Sequence, residues 1–574
     1  MNRLSLLSIS LLTALWGCAS TPSDPAPSAA SDPLAAARSK CHINTRNFTV
    51  KVDTGNYSGK QTKLACYGKD DPFCGLRIYQ IMVESFNHGE GGAPGYVYAW
   101  GPSRHNGNLK GIIDKLDYIK STGVNAIWLT PIFVSEPIPS QDKNADKLDG
   151  TGYYTSDYFT IDPKFGTKEE FIKLVELAHE KGLYVFLDGV LGHAKSNIKL
   201  KSPGGNELVT SKRCRDAWGQ IDKANSTYWC FDTAKSMAFY KELLSYWIKT
   251  AKIDGWRFDQ MYQLEPAYWK ELNKTITETA QKTVYKVNGR KVHPLGYSVG
   301  EMWSGDTKAI TKNAYADENM NSAFNFPLRY QLLKVLATND DIFAGDSCSQ
   351  PASSLARSYE DMRFYPSTAM PNNIVSNHDF PRFGDLIQRA GFGKDGVKDD
   401  DYFRRHKAAY SFIAAASGPL TMYYNDEIGS ELPGFVDQPG NCGDVCRCDD
   451  HVGRTDGQFD NLSAGEQDLK NYIAGIYALR DKYPSLAFGE RTHVYSDENL
   501  YVDLKSYKDE KILYVLNTST GTGTLSFSQD VTARISGGRM QCDLKNLLSG
   551  EVASEGELKI SGLSGNFYLL ENCR

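Results

Sequence analysis

The sequence has no surplus of basic charge: 64 Lys and Arg stand against 69 Asp and Glu, for a formal net charge of −5. Binding a polyanion needs a concentrated positive field, so nucleic acid is excluded as a partner, and no polybasic patch offers itself to a membrane surface. Beyond residues 4–16 no run is apolar enough to span a bilayer. Nor does a Gly-rich turn follow the first apolar segment, as a dinucleotide-binding sheet would require. What is present is length and apolar content. At 574 residues and 41% hydrophobic, the chain is too long for one ordinary domain and too apolar for disorder, so several packed units with an ample core are expected.

The N-terminus reads as an export signal. Arg3 precedes the apolar run, and small residues gather around Cys18. Leu15-Trp16-Gly17-Cys18 resembles a bacterial lipobox, which implies lipidation at Cys18, although Trp16 is unusual there; plain signal cleavage is the alternative. Ala19 rather than Asp follows the Cys, and the resemblance then implies the outer membrane, with a periplasmic or secreted protein as the other outcome. Residues 19–40 are rich in Ala, Ser and Pro and read as a disordered tether. Twelve cysteines agree with export; setting aside Cys18 leaves an odd number, so at least one is unpaired or bonds another chain. Cys214 with Cys230 and Cys542 with Cys573 are reasonable local pairs. Cys442, Cys446 and Cys448, with His451, could form a zinc site, but in an oxidising compartment a disulfide-stapled loop is favoured.

From residue 75 onward, short apolar runs alternate with amphipathic helices. Residues 76–86, 124–131, 183–187, 297–300, 373–376 and 420–424 read as strands, as does the stretch ending at Asp259; residues 108–122, the stretch after the Thr167/Glu170 capping box, the stretch after Asp232 and residues 402–416 read as helices. That repetition predicts a parallel sheet covered by helices. Beyond about residue 488 the pattern becomes short strands between Gly and Ser turns, as in a small β-sandwich. Polar clusters close four separate strands: Asp188 to His193, Gly255 to Asp259, Gly300 to Trp303, and Ser376 to Asp379. Chemistry collected from several strand ends around one mouth favours a barrel over an open sheet.

Three carboxylates lie at those ends: Asp259, Glu301 and Asp379. Arg257 shares a strand face with Asp259, because side chains alternate with period two. Such an arginine is expected to lower the pKa of Asp259 and keep it an anionic nucleophile, while a less compensated Glu301 stays protonated as an acid. Retaining glycoside hydrolysis needs that division of labour, with carboxyl groups about 5 to 5.5 Å apart. His193 and His378 could donate hydrogen bonds to sugar hydroxyls. Singly, each of these residues has a structural explanation as a cap, an ion-pair member or a core histidine; four clusters at four strand ends do not.

On these motifs the chain resembles the α-amylase superfamily of retaining α-glucan enzymes over residues 75–573. Residues 152–158, 161–167, 324–327 and 423–429 also fit the family. The resemblance implies Asp259 as nucleophile, Glu301 as general acid/base and Asp379 as the residue that grips sugar hydroxyls. It implies Asp188, His193, Arg257 and His378 in the same subsite, with Tyr153 stacked beneath the ring. The implied fold is a (β/α)8 TIM barrel over residues 75–485, with a short inserted subdomain after the third strand at about residues 194–231. A Cys-containing segment at residues 41–74 precedes it, and an all-β sandwich at residues 486–574 follows.

Three departures qualify the match. Where many α-amylases place a calcium-binding Asn before His193, this chain has Gly192; where they have a His four residues after the nucleophile, it has Gln263; and Tyr262 replaces a Lys that contacts leaving-group sugars. The usual calcium site is therefore doubtful, and no cofactor is expected to be required. The implied substrate is an α-1,4-glucan or maltooligosaccharide. The alternatives are an α-glucosidase, cyclomaltodextrinase or transglycosylase of the same superfamily, or a non-catalytic glycan-binding lipoprotein, against which the complete carboxylate set argues.

Overall fold

The computed structural model describes residues 41, 44–89, 106–138, 150–215, 221–223, 228–340, 348–392, 397–432, 453–553 and 557–574. The expectations at Cys18, in the tether and at Cys442, Cys446, Cys448 and His451 lie outside them.

Eight parallel strands close into a barrel in chain order: β1 (Arg77–Ile81), β2 (Ala126–Leu129), β3 (Tyr184–Gly189), β4 (Gly255–Phe258), β5 (Tyr297–Gly300), β6 (Ser322–Phe324), β7 (Pro371–Ile374) and β8 (Leu420–Tyr423). The ring closes where Leu420 pairs with Arg77. Period-two alternation sorts the side chains into two apolar layers. Ile78, Trp128, Phe186, Tyr297, Val299 and Ile374 fill the interior. Tyr79, Ile81, Ile127, Leu129, Val185, Leu187, Trp256 and Phe258 point outward, where they pack on the helices.

Those helices begin where the sequence signals them. Leu109–Ser121 starts at Asn108, whose side chain accepts from Gly111 N. Lys168–Glu180 carries the Thr167/Glu170 capping box and buries Phe171, Leu174, Val175 and Ala178. Thr233–Ala251 starts at Asp232 and buries Tyr240, Leu243, Leu244 and Trp247. The strand expected over residues 76–86 stops at Ile81 and gives way to a helical turn, Val83–Phe86. At the barrel rim the ladder has no neighbour to continue it, and Val83 N donates to Thr130 Oγ1 instead (3.0 Å). β6 was not anticipated: at three residues, it is too short to show a period.

After β3 the chain inserts a small sheet in which Tyr228–Phe231 runs between His193–Lys195 and Thr210–Ser211. The Cys214–Cys230 disulfide staples it. The C-terminal part forms two sheets around one core that includes Val494, Val502, Val515, Leu525 and Ile560. Residues 41–74 do not stand apart from these sheets. Phe48–Val52 pairs parallel with Gly523–Phe527, and Lys60–Gln61 extends the larger sheet beside Glu490–Ser496. Disulfides join Cys41 to Cys348, Cys66 to Cys74 and Cys542 to Cys573, so no described cysteine is free.

Candidate active site

Inward parity places Asp188 on β3 and Arg257 on β4, and carries Asp259 and Glu301 to the mouth just beyond β4 and β5. Arg257, fully buried, is the hub. Its Nη1 lies 2.8 Å from both Asp188 carboxylate oxygens and 3.1 Å from Asp259 Oδ1, while Nη2 lies 2.8 Å from Glu301 Oε1. The ring faces of Trp128 and Tyr153 sit 4.9 and 5.8 Å from the guanidinium carbon and add cation–π attraction. Asp188 Oδ2 also accepts from Tyr153 Oη (2.8 Å) and Trp128 Nε1 (3.2 Å). Glu301 Oε2 accepts from the backbone N–H of Gln260 (3.1 Å).

Asp379 arrives from the loop after β7. Arg454 holds it, with Nη2 3.0 Å from Asp379 Oδ1 and Nε donating to the His378 carbonyl (2.9 Å). The His378 ring lies parallel to Tyr153, centroids 5.2 Å apart and planes 6° apart, with Nδ1 2.6 Å from the Gln80 amide and Nε2 3.4 Å from Asp379 Oδ2. His193 approaches from the inserted sheet and donates from Nδ1 to Gln263 Oε1 (2.9 Å). Burial pushes its pKa down, which favours the neutral ring.

The eight barrel residues singled out in the sequence therefore converge on one mouth. The electrostatics differ from the expectation in one respect. Arg257 does act to lower the pKa of Asp259, but burial and the neighbouring Asp188 and Asp379 outweigh it, and the carboxyl is pushed up to about 7. Glu301 is pushed further, to about 8, and Asp188 to about 6, in each case chiefly by burial.

Sequence reasoning missed Gln80, Trp128 and Arg454. Gln80 and Trp128 share the inward parity of Ile78 and Ala126, so a stricter period-two reading could have found them. Arg454 sits in a loop far along the chain and gives no local signal.

Comparison with known proteins identifies the family. The model for the alpha amylase catalytic domain matches residues 80–213 and 230–473. A variant of AmyP solved in complex with maltotriose is 39% identical, with a TM-score of 0.77, covering 88% of this chain and 98% of that one. A cyclomaltodextrinase from Thermoanaerobacter pseudethanolicus is 25% identical over 77% of this chain and 70% of its own length. A maltogenic alpha-amylase from Bacillus acidopullulyticus is 26% identical over 79% and 71%. The chain belongs to the alpha-amylase catalytic-domain family and is a glycoside hydrolase.

Proposed function

We propose that this chain is a retaining hydrolase of α-1,4-glucosidic bonds in starch-derived glucans, with Asp259 as nucleophile and Glu301 as general acid/base. The observation that carries the reading is the placement of both carboxyls on the single guanidinium of Arg257, with Asp379 facing them. Protonated Glu301 gives its proton to the glycosidic oxygen as the bond from that oxygen to C1 breaks. Asp259 forms the new bond to C1, and the shortened glucan leaves with the proton. Glu301, now ionised, takes a proton from water as its oxygen attacks C1 and expels Asp259. Asp379, His378 and His193 hold sugar hydroxyls, Asp188 lines the same subsite by fixing Arg257 and the Tyr153 hydroxyl, and Tyr153 supports the ring face.

A second reading, opening of cyclomaltodextrins, is favoured by the relative that bears the name cyclomaltodextrinase. The test is a product time course on soluble starch, maltooligosaccharides, cyclodextrin, pullulan and maltose, run with and without a chelator. An early fall in starch viscosity marks endo attack and slow loss of viscosity marks attack from chain ends, both within the proposed α-1,4 hydrolysis, and chelation leaves most activity intact. Cyclodextrin consumed well ahead of starch supports the second reading, and glucose as sole early product contradicts both. Export and anchoring through Cys18 belong to the same proposal and rest on the N-terminal pattern.

A further inference from the structure

One side chain joins the loop after β3 to the turn after β4. Gln263 closes the short turn Met261–Gln263. Its Oε1 accepts from His193 Nδ1 (2.9 Å), its Nε2 donates to Gln260 Oε1 (2.9 Å), and its backbone N–H donates to the Gln260 carbonyl (2.8 Å). Gln260 needs such support. Its backbone is left-handed, at φ 38° and ψ 54°, a state that a non-glycine residue keeps only where its surroundings enforce it. The N–H of this constrained residue is the one that holds Glu301 Oε2.

On its other side Gln263 packs against Gly192. A Cβ at residue 192 would lie 2.1 Å from Gln263 Oε1 and 2.3 Å from Gln263 Cβ. Rotating the amide relieves the first contact but not the second, so glycine and glutamine are two halves of one fit. A calcium ion of the family pattern does not fit these residues. Gly192 has no side-chain oxygen, and the Gln263 side chain fills the space a side chain there would take. Among the described residues no group of three or more His, Cys, Asp or Glu is placed to hold a metal.

We propose that Gln263 is a positioning residue that braces the His193 loop to the Gln260–Glu301 turn with protein groups alone, seated on Gly192, where the family pattern would use a metal. The inference rests on the acid/base reading of Glu301 given above. Glu301 is faced by Arg257 from β4, Asp259 just beyond its end, Asp188 from β3, Asp379 from the loop after β7, Tyr330 from the helix Phe326–Leu336, and the Gln260 amide. Of these, only the Gln260 amide depends on Gln263. Its hydrogen bond favours the ionised carboxyl, so loosening it raises the pH at which Glu301 gives up its proton.

Two measurements test this together. In Gln263→Ala, the alkaline limb of kcat/KM on maltooligosaccharides should move up by about half a pH unit, with kcat falling more than KM changes. In a double-mutant cycle, Gly192→Ala should lower the melting temperature sharply in the native background and only slightly beside Gln263→Gly, which removes the opposing Cβ. An alkaline limb that stays in place, or a cycle in which the two changes simply add, overturns the proposal. If Glu301→Gln keeps native turnover, the acid/base reading fails by itself, and the packing cycle still reports on the Gly192–Gln263 fit.

Discussion

Arg257 gives one positive charge to three carboxyls, Asp188, Asp259 and Glu301, all buried. With Asp379 counted and Arg454 beside it, four acids share two guanidinium groups, so the ligand-free site retains protons that exposed carboxyls lose near pH 4. Two consequences follow for Glu301, raised to about 8 and chiefly by burial. The native state binds a proton there between roughly pH 4 and 8 that the unfolded chain has released, so this group makes stability fall as pH rises through that window. Glu301→Gln removes the penalty. Its melting temperature should exceed that of the native protein by more at pH 8 than at pH 5. An equal offset at both pH values would show that Glu301 is not held protonated. The sequence brought out residues that the structure gathers at one mouth, because Asp188, Arg257 and Asp259 lie at strand ends with inward parity. It misjudged the pKa of Asp259, because burial by residues remote in the chain outweighs the arginine two positions away.

The strands deliver these groups because alternation decides which side chains enter the mouth. On β4, Trp256 and Phe258 pack outward while Arg257 and then Asp259 face in. Gly255 begins that strand where a Cβ would sit 1.9 Å from the Tyr297 carbonyl oxygen of β5. Gly255→Ala should therefore spread β4 from β5, cost about 1–3 kcal/mol of stability, and weaken turnover by moving Asp259 relative to Glu301. A melting temperature and activity equal to those of the native protein would show that the strands yield without cost. The helices with side-chain N-caps were legible almost to the residue, at Asn108, Thr167 and Asp232. β6 and the turn Val83–Phe86 were not, because neither has a period of its own and both are set by the closing of the barrel.

Across the whole molecule, the chain folds back on itself more than a linear reading suggests. Phe48–Val52 finds its partner at Gly523–Phe527, and Cys41 is bonded to Cys348 across 307 residues. No local pattern encodes either pairing, whereas Cys214–Cys230 and Cys542–Cys573, close in sequence, were legible. The N-terminal strand thus ties residue 48 to the C-terminal sheets, and the proposed tether leads from Cys18 to that point. If Cys18 carries lipid, the native protein should fractionate with membranes and Cys18→Ser should release it or leave it unprocessed; a native protein found only in the soluble fraction contradicts the anchor. The central claim is chemical, that Asp259 forms a covalent glycosyl-enzyme while Glu301 supplies and recovers the proton. Proton NMR of the first product of maltooligosaccharide cleavage, taken before mutarotation, tests it most directly. The account predicts the α-anomer, with Asp259→Asn reducing its formation almost to nothing; a β-anomer as the first product would contradict it.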